Sequence, residues 1–407
     1  MRSTTIPVTV LSGSLGAGKT TLVNHLLRNA GDRNLAVLVN DMGSVNVDAD
    51  LVAEGSDLAV DDGIAELSNG CICCELQDDL ETAVVRLARE REFDHLLVEA
   101  SGISEPAPVA RLFTTASRVA ARYEIDALVT VLDTRLFLDA FDGESVPERR
   151  GADEETRPLS DLLVEQLECS NLVLLNKADQ CTTAELERAE ELVRTLRPGV
   201  ETVRTEFSAV DPARLFDTGL FDPGQLGELA GWHRALEDGA AAGDAGHDHH
   251  ADDDHGHRHP DEVYGVDSFV VRERRPLDPR QFAAFLEALP PTVVRSKGTA
   301  WVAGNEQRLT VHQAGPSVRV TAAGPWIASL PELDRELYRS NRPDLEWHNE
   351  HGDRLTELVF IGTGLDEPAL RAALEECLLE EPAAPAGTND ESRFPAEPGA
   401  ERVLREP

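Results

Sequence analysis

Three of the chain's six cysteines fall within four residues, Cys71-Ile72-Cys73-Cys74, directly after Asn69-Gly70. Thiolates are soft donors that hold divalent metal ions, so the first candidate chemistry is metal binding by Cys71, Cys73 and Cys74. A fourth ligand would come from water, from Asp41 or from a client protein. An open fourth position suits transfer, whereas four closed thiolates suit structure. Leu76, Leu80, Val84, Leu87 and Ala88 recur at helical spacing and predict a helix from about Glu75 to Arg91. The thiols then sit at a helix N-terminus, where the dipole favours thiolate. The competing reading is a buried turn or a fixed zinc knot. By softness and the Irving–Williams order, three thiolates hold Zn²⁺ more tightly than Co²⁺.

A second chemistry surrounds the first. Ile6 to Leu11 reads as a buried strand and Thr20 to Arg28 as a helix, joined by Ser12-Gly13-Ser14-Leu15-Gly16-Ala17-Gly18-Lys19. This is the G-x-x-x-x-G-K-T phosphate loop in its strand–loop–helix context. Backbone N–H groups from Gly13 to Thr21, with Gly16, Ala17 and Gly18 among them, close around phosphate oxygens; Lys19 reaches the β- and γ-phosphates and Thr20 ligates Mg²⁺. Leu35 to Asn40 is a second strand, and the loop beyond it carries Asp41, Asp48 and Asp50; Asp41 is the candidate to approach Mg²⁺ or the attacking water. The strand His95 to Val98 ends in Glu99-Ala100-Ser101-Gly102, which places Glu99 toward Mg²⁺ and Gly102 toward the γ-phosphate. Asn171 to Leu175 leads into Asn176-Lys177-Ala178-Asp179. That pattern selects guanine, because the Asp179 carboxylate accepts two N–H bonds that adenine cannot supply. GTP is therefore favoured over ATP. Val200 to Phe207 is a further strand, and Ser208-Ala209 is placed to close over the base.

The elements that position these groups alternate strand and helix up to about residue 235, which predicts an α/β P-loop domain with a mostly parallel sheet. Ala127 to Leu132 is one of its strands, and Phe141 to Arg157 a charged insertion. Residues 236–262 turn to Ala, Gly, Asp and His. His247, His249, His250, His255, His257 and His259 lie in this flexible linker, as auxiliary metal capture or as part of a solvated spacer. Residues 263–380 predict a smaller α+β domain, with strands at Ser268–Val271, Thr292–Val294, Ala300–Ala303, Leu309–His312 and Leu358–Ile361 and helices at Pro279–Leu289 and Pro368–Leu379. Residues 381–407 read as a disordered acidic tail. Cys169, Cys181 and Cys377 are expected to be buried thiols.

Charge bounds the partners. With 38 basic and 75 acidic residues the net charge is −37, which argues against nucleic acid and anionic membranes. No apolar run is long enough to span a bilayer, and acid spread along the whole chain fits a halophilic source. Clustered thiols without a disulfide framework fit a reducing cytoplasm. Lysine occurs only at positions 19, 177 and 297. Lys297 stands outside the nucleotide motifs, either as a client or inter-domain contact or as a chance survivor.

Taken together, the phosphate loop, Cys-x-Cys-Cys after Gly70, Glu99-Ala100-Ser101-Gly102 with Pro106-Ala107-Pro108, and Asn176-Lys177-Ala178-Asp179 resemble the CobW-like metallochaperone GTPases. Arg295-Ser296-Lys297-Gly298 and Glu357 to Gly362 look like signatures of the CobW C-terminal domain. The chain departs from the family in carrying Asn40-Asp41 where Asn-Glu is usual. The resemblance implies GTP hydrolysis with Mg²⁺, delivery of zinc or cobalt, and service to a client metalloprotein or cofactor pathway. Cobalt delivery for cobalamin synthesis is one alternative, and a metal buffer or sensor in which nucleotide is only structural is another. A nucleotide-dependent homodimer is a further expectation.

Overall fold

Runs of consecutive apolar residues, with no polar alternation, build the first half of the chain. They form β1 (Ile6–Ser12), β2 (Leu35–Val39), β3 (Ile64–Glu66), β4 (His95–Glu99), β5 (Tyr123–Asp133), β8 (Leu172–Asn176) and β9 (Glu201–Arg204); β6 (Arg149–Arg150) and β7 (Thr156–Arg157) make a separate antiparallel ribbon. The computed structural model describes residues 5–39, 64–66, 77–102, 106–115, 117–141, 149–150, 156–222, 267–341, 345–380 and 393–405. The chain divides into two compact units, the first reaching Ala230 and the second running from Gly231, with Phe141–Glu144 grouped with the second.

In the first unit seven strands form one sheet in the order β3-β2-β4-β1-β5-β8-β9, and every pairing is parallel. Parallel sheets are covered on both faces, which is why their strands read as apolar runs. Val8, Val10, Leu96 and Val98 pack into one core with Val109 and Phe113, while Leu11, Leu97, Val129 and Leu174 pack into a second with Leu22 and Leu26. The period of two along each strand sorts the residues between the two layers. The helix expected over Glu75–Arg91 is present over Gln77–Glu90, with Val84 and Leu87 buried.

The second unit is built on alternation. Its strands are β10 (Asp267–Glu273), β11 (Val293–Ala300), β12 (Gln307–Ala314), β13 (Ser317–Pro325), β14 (Thr356–Gly362) and β15 (Glu401–Arg405), in the order β10-β14-β11-β12-β13-β15, all antiparallel. The helices Pro279–Glu287 and Glu367–Glu375 pack Phe282, Phe285, Leu286, Leu370 and Leu374 with the core residues of one sheet face. Asp278 caps the first helix by accepting from Arg280 N and Gln281 N, ahead of Pro279 at the first helical position.

Two expectations need correction here. The runs Thr292–Val294 and Ala300–Ala303 are not two strands: a single strand, β11, spans Val293–Ala300 and leaves Trp301–Ala303 beyond its end. The segment 381–407 is not a disordered tail throughout: β15 pairs with β13, Phe394 is buried against Phe282, and Arg405 donates to the carbonyls of Glu287 and Leu289 at 3.1 and 2.9 Å. Glu287 is the last residue of its helix and Leu289 follows just beyond, so a cation on both carbonyls completes the cap. The acidic and proline-rich composition of residues 381–400 masked these anchors. Of the lone cysteines, Cys377 is buried and its thiol is pushed up to about 11 by burial, whereas Cys169 and Cys181 are only half-buried. Among the described residues no helix is long and apolar enough to cross a membrane.

Candidate functional site

All strands of the first sheet run the same way, so their C-terminal ends and the loops that follow share one edge. Leu11, Glu99, Val39 and Glu66 lie side by side there, on β1, β4, β2 and β3. From these positions the chain runs on to the phosphate loop, to Gly102, to Asp41 and to Cys71.

Lys19 opens the helix Lys19–Arg28 and is only 7% exposed. Its ammonium donates to the carbonyls of Gly13 at 2.9 Å and Ser14 at 3.3 Å, so the loop curls around the cation. One residue on, Thr20 donates its hydroxyl to Glu99 Oε1 at 3.1 Å. These two oxygens come from positions 79 residues apart, and Glu99 is buried. A hydroxyl and a buried carboxylate set beside an N-terminal helix turn form a donor pair suited to a hard cation that accompanies phosphate. Gly102 follows Glu99, and a Cβ there would lie 2.7 Å from the Leu15 backbone nitrogen, so only glycine lets this segment approach the phosphate loop.

The guanine motif divides its work. Asn176 is buried, and its side chain is wholly engaged with protein: Nδ2 donates to Ala17 O at 2.8 Å and to Ser208 Oγ at 2.9 Å, and Oδ1 accepts from Ser208 N and Thr205 Oγ1. It is a staple between the phosphate loop and the turn after β9. Gly18 makes room for it, since a Cβ there would meet Asn176 Nδ2 at 2.4 Å, and its φ of 112° is one that L side chains rarely adopt. Ser208 adds a bond to Gly18 O at 2.9 Å. The strand expected over Val200–Phe207 therefore stops at Arg204. Phe207 and Ser208 follow in the left-handed region, with φ of 51° and 55°, where each costs about 1–2 kcal/mol that the Asn176 bonds offset. Lys177 is also left-handed and pairs with Asp133 at 2.7 Å. Asp179 stands exposed in the turn Ala178–Gln180, its carboxylate without a hydrogen bond or ion pair among the described residues.

Sequence reasoning missed Asp133 and Thr205. An acid at the end of the strand preceding Asn-Lys-x-Asp was the signal for the first; nothing local marked the second. Phe207, 75% exposed at the rim of this turn, was read as a strand residue. The thiols Cys71, Cys73 and Cys74, the acid Asp41 and the six linker histidines lie outside the described residues. Among those that are described, no three metal-ligating side chains cluster.

Residues 7–204 match the family described as CobW/HypB/UreG, nucleotide-binding domain, and residues 266–378 match the Cobalamin synthesis protein cobW C-terminal domain. The chain is 34% identical to a zinc-regulated GTPase metalloprotein activator 1 of Dictyostelium discoideum over 92% of its own length and 80% of the relative's. It is 30% identical to a zinc chaperone CobW of Sinorhizobium sp over 91% of its length and 96% of the relative's. A crystal structure of the Zn(II)-bound YjiA GTPase from E. coli overlaps 92% of this chain and 99% of that one at 21% identity, with a TM-score of 0.36, too loosely to carry an argument about the site.

Proposed function

The chain belongs to the CobW/HypB/UreG family and carries the CobW C-terminal domain, and on that premise we propose a P-loop GTPase that uses GTP turnover to load and release a divalent metal ion, zinc before cobalt, for a client protein. Gly13, Gly16, Ala17, Gly18, Lys19, Thr20 and Thr21 hold the phosphates; Thr20 and Glu99 would hold the accompanying Mg²⁺, which would supply charge neutralisation for the phosphates. Asp179 reads the guanine edge, Lys177 is fixed by Asp133, and Asn176 keeps the base turn against the phosphate loop. Gly102 faces the γ-phosphate. Cys71, Cys73 and Cys74 take the cargo ion as thiolates, with Asp41, water or the client supplying the fourth position. The histidines from His247 to His259 capture metal for them.

The observation that carries this reading is the shared level of Leu11, Glu99, Val39 and Glu66 at one sheet edge. Cys71 is five residues beyond Glu66, and Asp41 is two beyond Val39. Loops tethered this close to Glu99 and Gly102 respond to the γ-phosphate, ordering when it is present and releasing after hydrolysis. The test is zinc affinity of the purified protein with a non-hydrolysable GTP analogue and with GDP. Tighter binding with the analogue, lost in Cys73→Ser, is expected; equal affinities in the two states would sink the coupling.

A further inference from the structure

The turn after β9 carries strain that its staple explains only in part. Ala209 N donates to Glu206 O at 3.0 Å, and the two residues between them, Phe207 and Ser208, are both left-handed, with φ of 51° and 55°. Consecutive left-handed residues are the pattern of a type I′ turn, whose central positions favour Asn, Asp and Gly. Ser208 has a reason to be there, because it is fully buried and bonded to Asn176 and to Gly18 O. Phe207 shares none of those bonds. Its side chain is 75% exposed, and among the described residues no aromatic ring or cation lies against it. An asparagine or glycine would fit the turn with less strain and expose no apolar surface. A bulky aromatic held in this conformation and open to solvent points to a contact outside the chain.

Two sets of bonds fix where that contact lies. On one side Ser208 Oγ donates to Gly18 O at 2.9 Å and Asn176 Nδ2 to Ala17 O at 2.8 Å, so the turn is fastened to the end of the phosphate loop. On the other, Thr205 N donates to Leu175 O at 2.9 Å and Ala178 N to Thr205 O at 3.1 Å, so the same turn is fastened beside Lys177-Ala178-Asp179. Phe207 is one residue from the first attachment and two from the second. A nucleotide that rests its phosphates on Gly13 to Thr21 and its base edge on Asp179 spans the two attachments. Its purine then presents two flat faces, and a contact at the edge uses neither.

We propose that the Phe207 ring stacks on one face of the guanine base and closes the site whose edge Asp179 reads. Ser208, expected to close over the base, is taken up by the staple, and its neighbour does the covering. The inference rests on the guanine reading of Asn176 to Asp179 and divides recognition between two kinds of contact. The Asp179 carboxylate selects, because a base with the wrong edge leaves it unpaired. The ring adds affinity without selecting, because every purine has a π-face.

The test follows binding of GTP, ITP and XTP to the full-length protein with Mg²⁺, by displacement of GDP labelled on its ribose. Phe207→Gly removes the ring and suits the turn, so the unfolding temperature is expected to hold while GTP and ITP bind about tenfold or more weakly, both by the same factor. In turnover KM rises and kcat holds, because the ring touches the base and not the γ-phosphate. Phe207→Trp should keep native GTP affinity, and the added indole emission should change when GDP binds. Asp179→Asn tests the reading beneath: its amide donates to the 2-oxo group of xanthine, so preference should pass from GTP to XTP. If it does, while Phe207→Gly binds GTP as tightly as the native chain or loses stability in place of affinity, stacking is overturned and the base site stands. If the native chain does not prefer GTP to XTP, or Asp179→Asn leaves that preference unchanged, both fall.

Discussion

The two sheets use their geometry in opposite ways. In the first, every strand runs in parallel and both faces are covered, so nothing polar can be displayed on a face and the chemistry gathers at one edge. In the second, antiparallel strands alternate between a helix-covered apolar core and an opposite face that carries charged side chains. An edge brings together residues distant in sequence, such as Thr20 and Glu99, whereas a face presents residues at period two along neighbouring strands, such as Lys297 and His312.

If the second sheet is an independent platform, damage to its closing segment should leave the first unit intact. Phe394→Ala removes a ring buried against Phe282 and is expected to destabilise the second unit by about 3–5 kcal/mol, seen as an early, separate transition in thermal unfolding while GTP binding persists. One cooperative transition shifted as a whole would break the contrast. In the other direction, Lys19→Ala removes the charge held by Gly13 and Ser14 and is expected to lower GTP turnover about 10²–10³-fold while the unfolding transition of the second unit is unchanged.

The parallel sheet also buries titratable groups at its opposite edge, which sharpens the contrast through pH. His95 is buried, and its Nε2 meets Thr9 Oγ1 at 2.8 Å. Thr9 donates to Leu215 O, so it accepts from His95 Nε2–H, and Nδ1 has no hydrogen-bond partner among the described residues. Burial first, and then the Arg33 charge, pull this imidazole down to about 4, against an opposing effect of Asp217. The folded state binds the proton less readily than the unfolded state, so this contribution is complete above the ordinary value of 6.5 and fades as pH falls toward 4, a loss of about 3 kcal/mol. Urea midpoints of the first unit measured from pH 7 to pH 4.5 should show this slope, and His95→Gln should flatten it. The smallest effect is expected at Thr182, whose capping box with Glu185 starts the helix Thr183–Leu196; Thr182→Ala should cost about 1 kcal/mol in the same assay.

What was legible in the sequence follows the same division. The apolar strands and the phosphate loop announce themselves because local pattern and local chemistry coincide, and the Thr20–Glu99 meeting follows from strand order. The α/β architecture with a smaller α+β domain is as expected. What escaped was non-local. Asn176 reads as a base contact in a four-residue pattern, but its bonds to Ala17 and Ser208 depend on strands β1, β8 and β9 coming together. The strand β13 was missed although Val318, Val320 and Ala322 alternate, because Arg319 and Thr321 between them reveal a charged face only once β12 lies alongside. The helix Glu332–Asn341 was missed for a different reason: none of its residues is buried, so it has no apolar stripe turned to a core.

The pairing of β13 with β15 also fixes an order of events in time. Val318 to Thr321 wait for partners some 80 residues later, from Glu401 to Arg405. While the chain is being synthesised, the first unit has all its strands long before the second sheet can close. Through that interval the backbone of β13 is an unpaired edge, open to pairing with another nascent chain. Arg405 ends the exposure by locking strand and helix together, so the residues that finish the sheet also set how long the growing protein is at risk of aggregation.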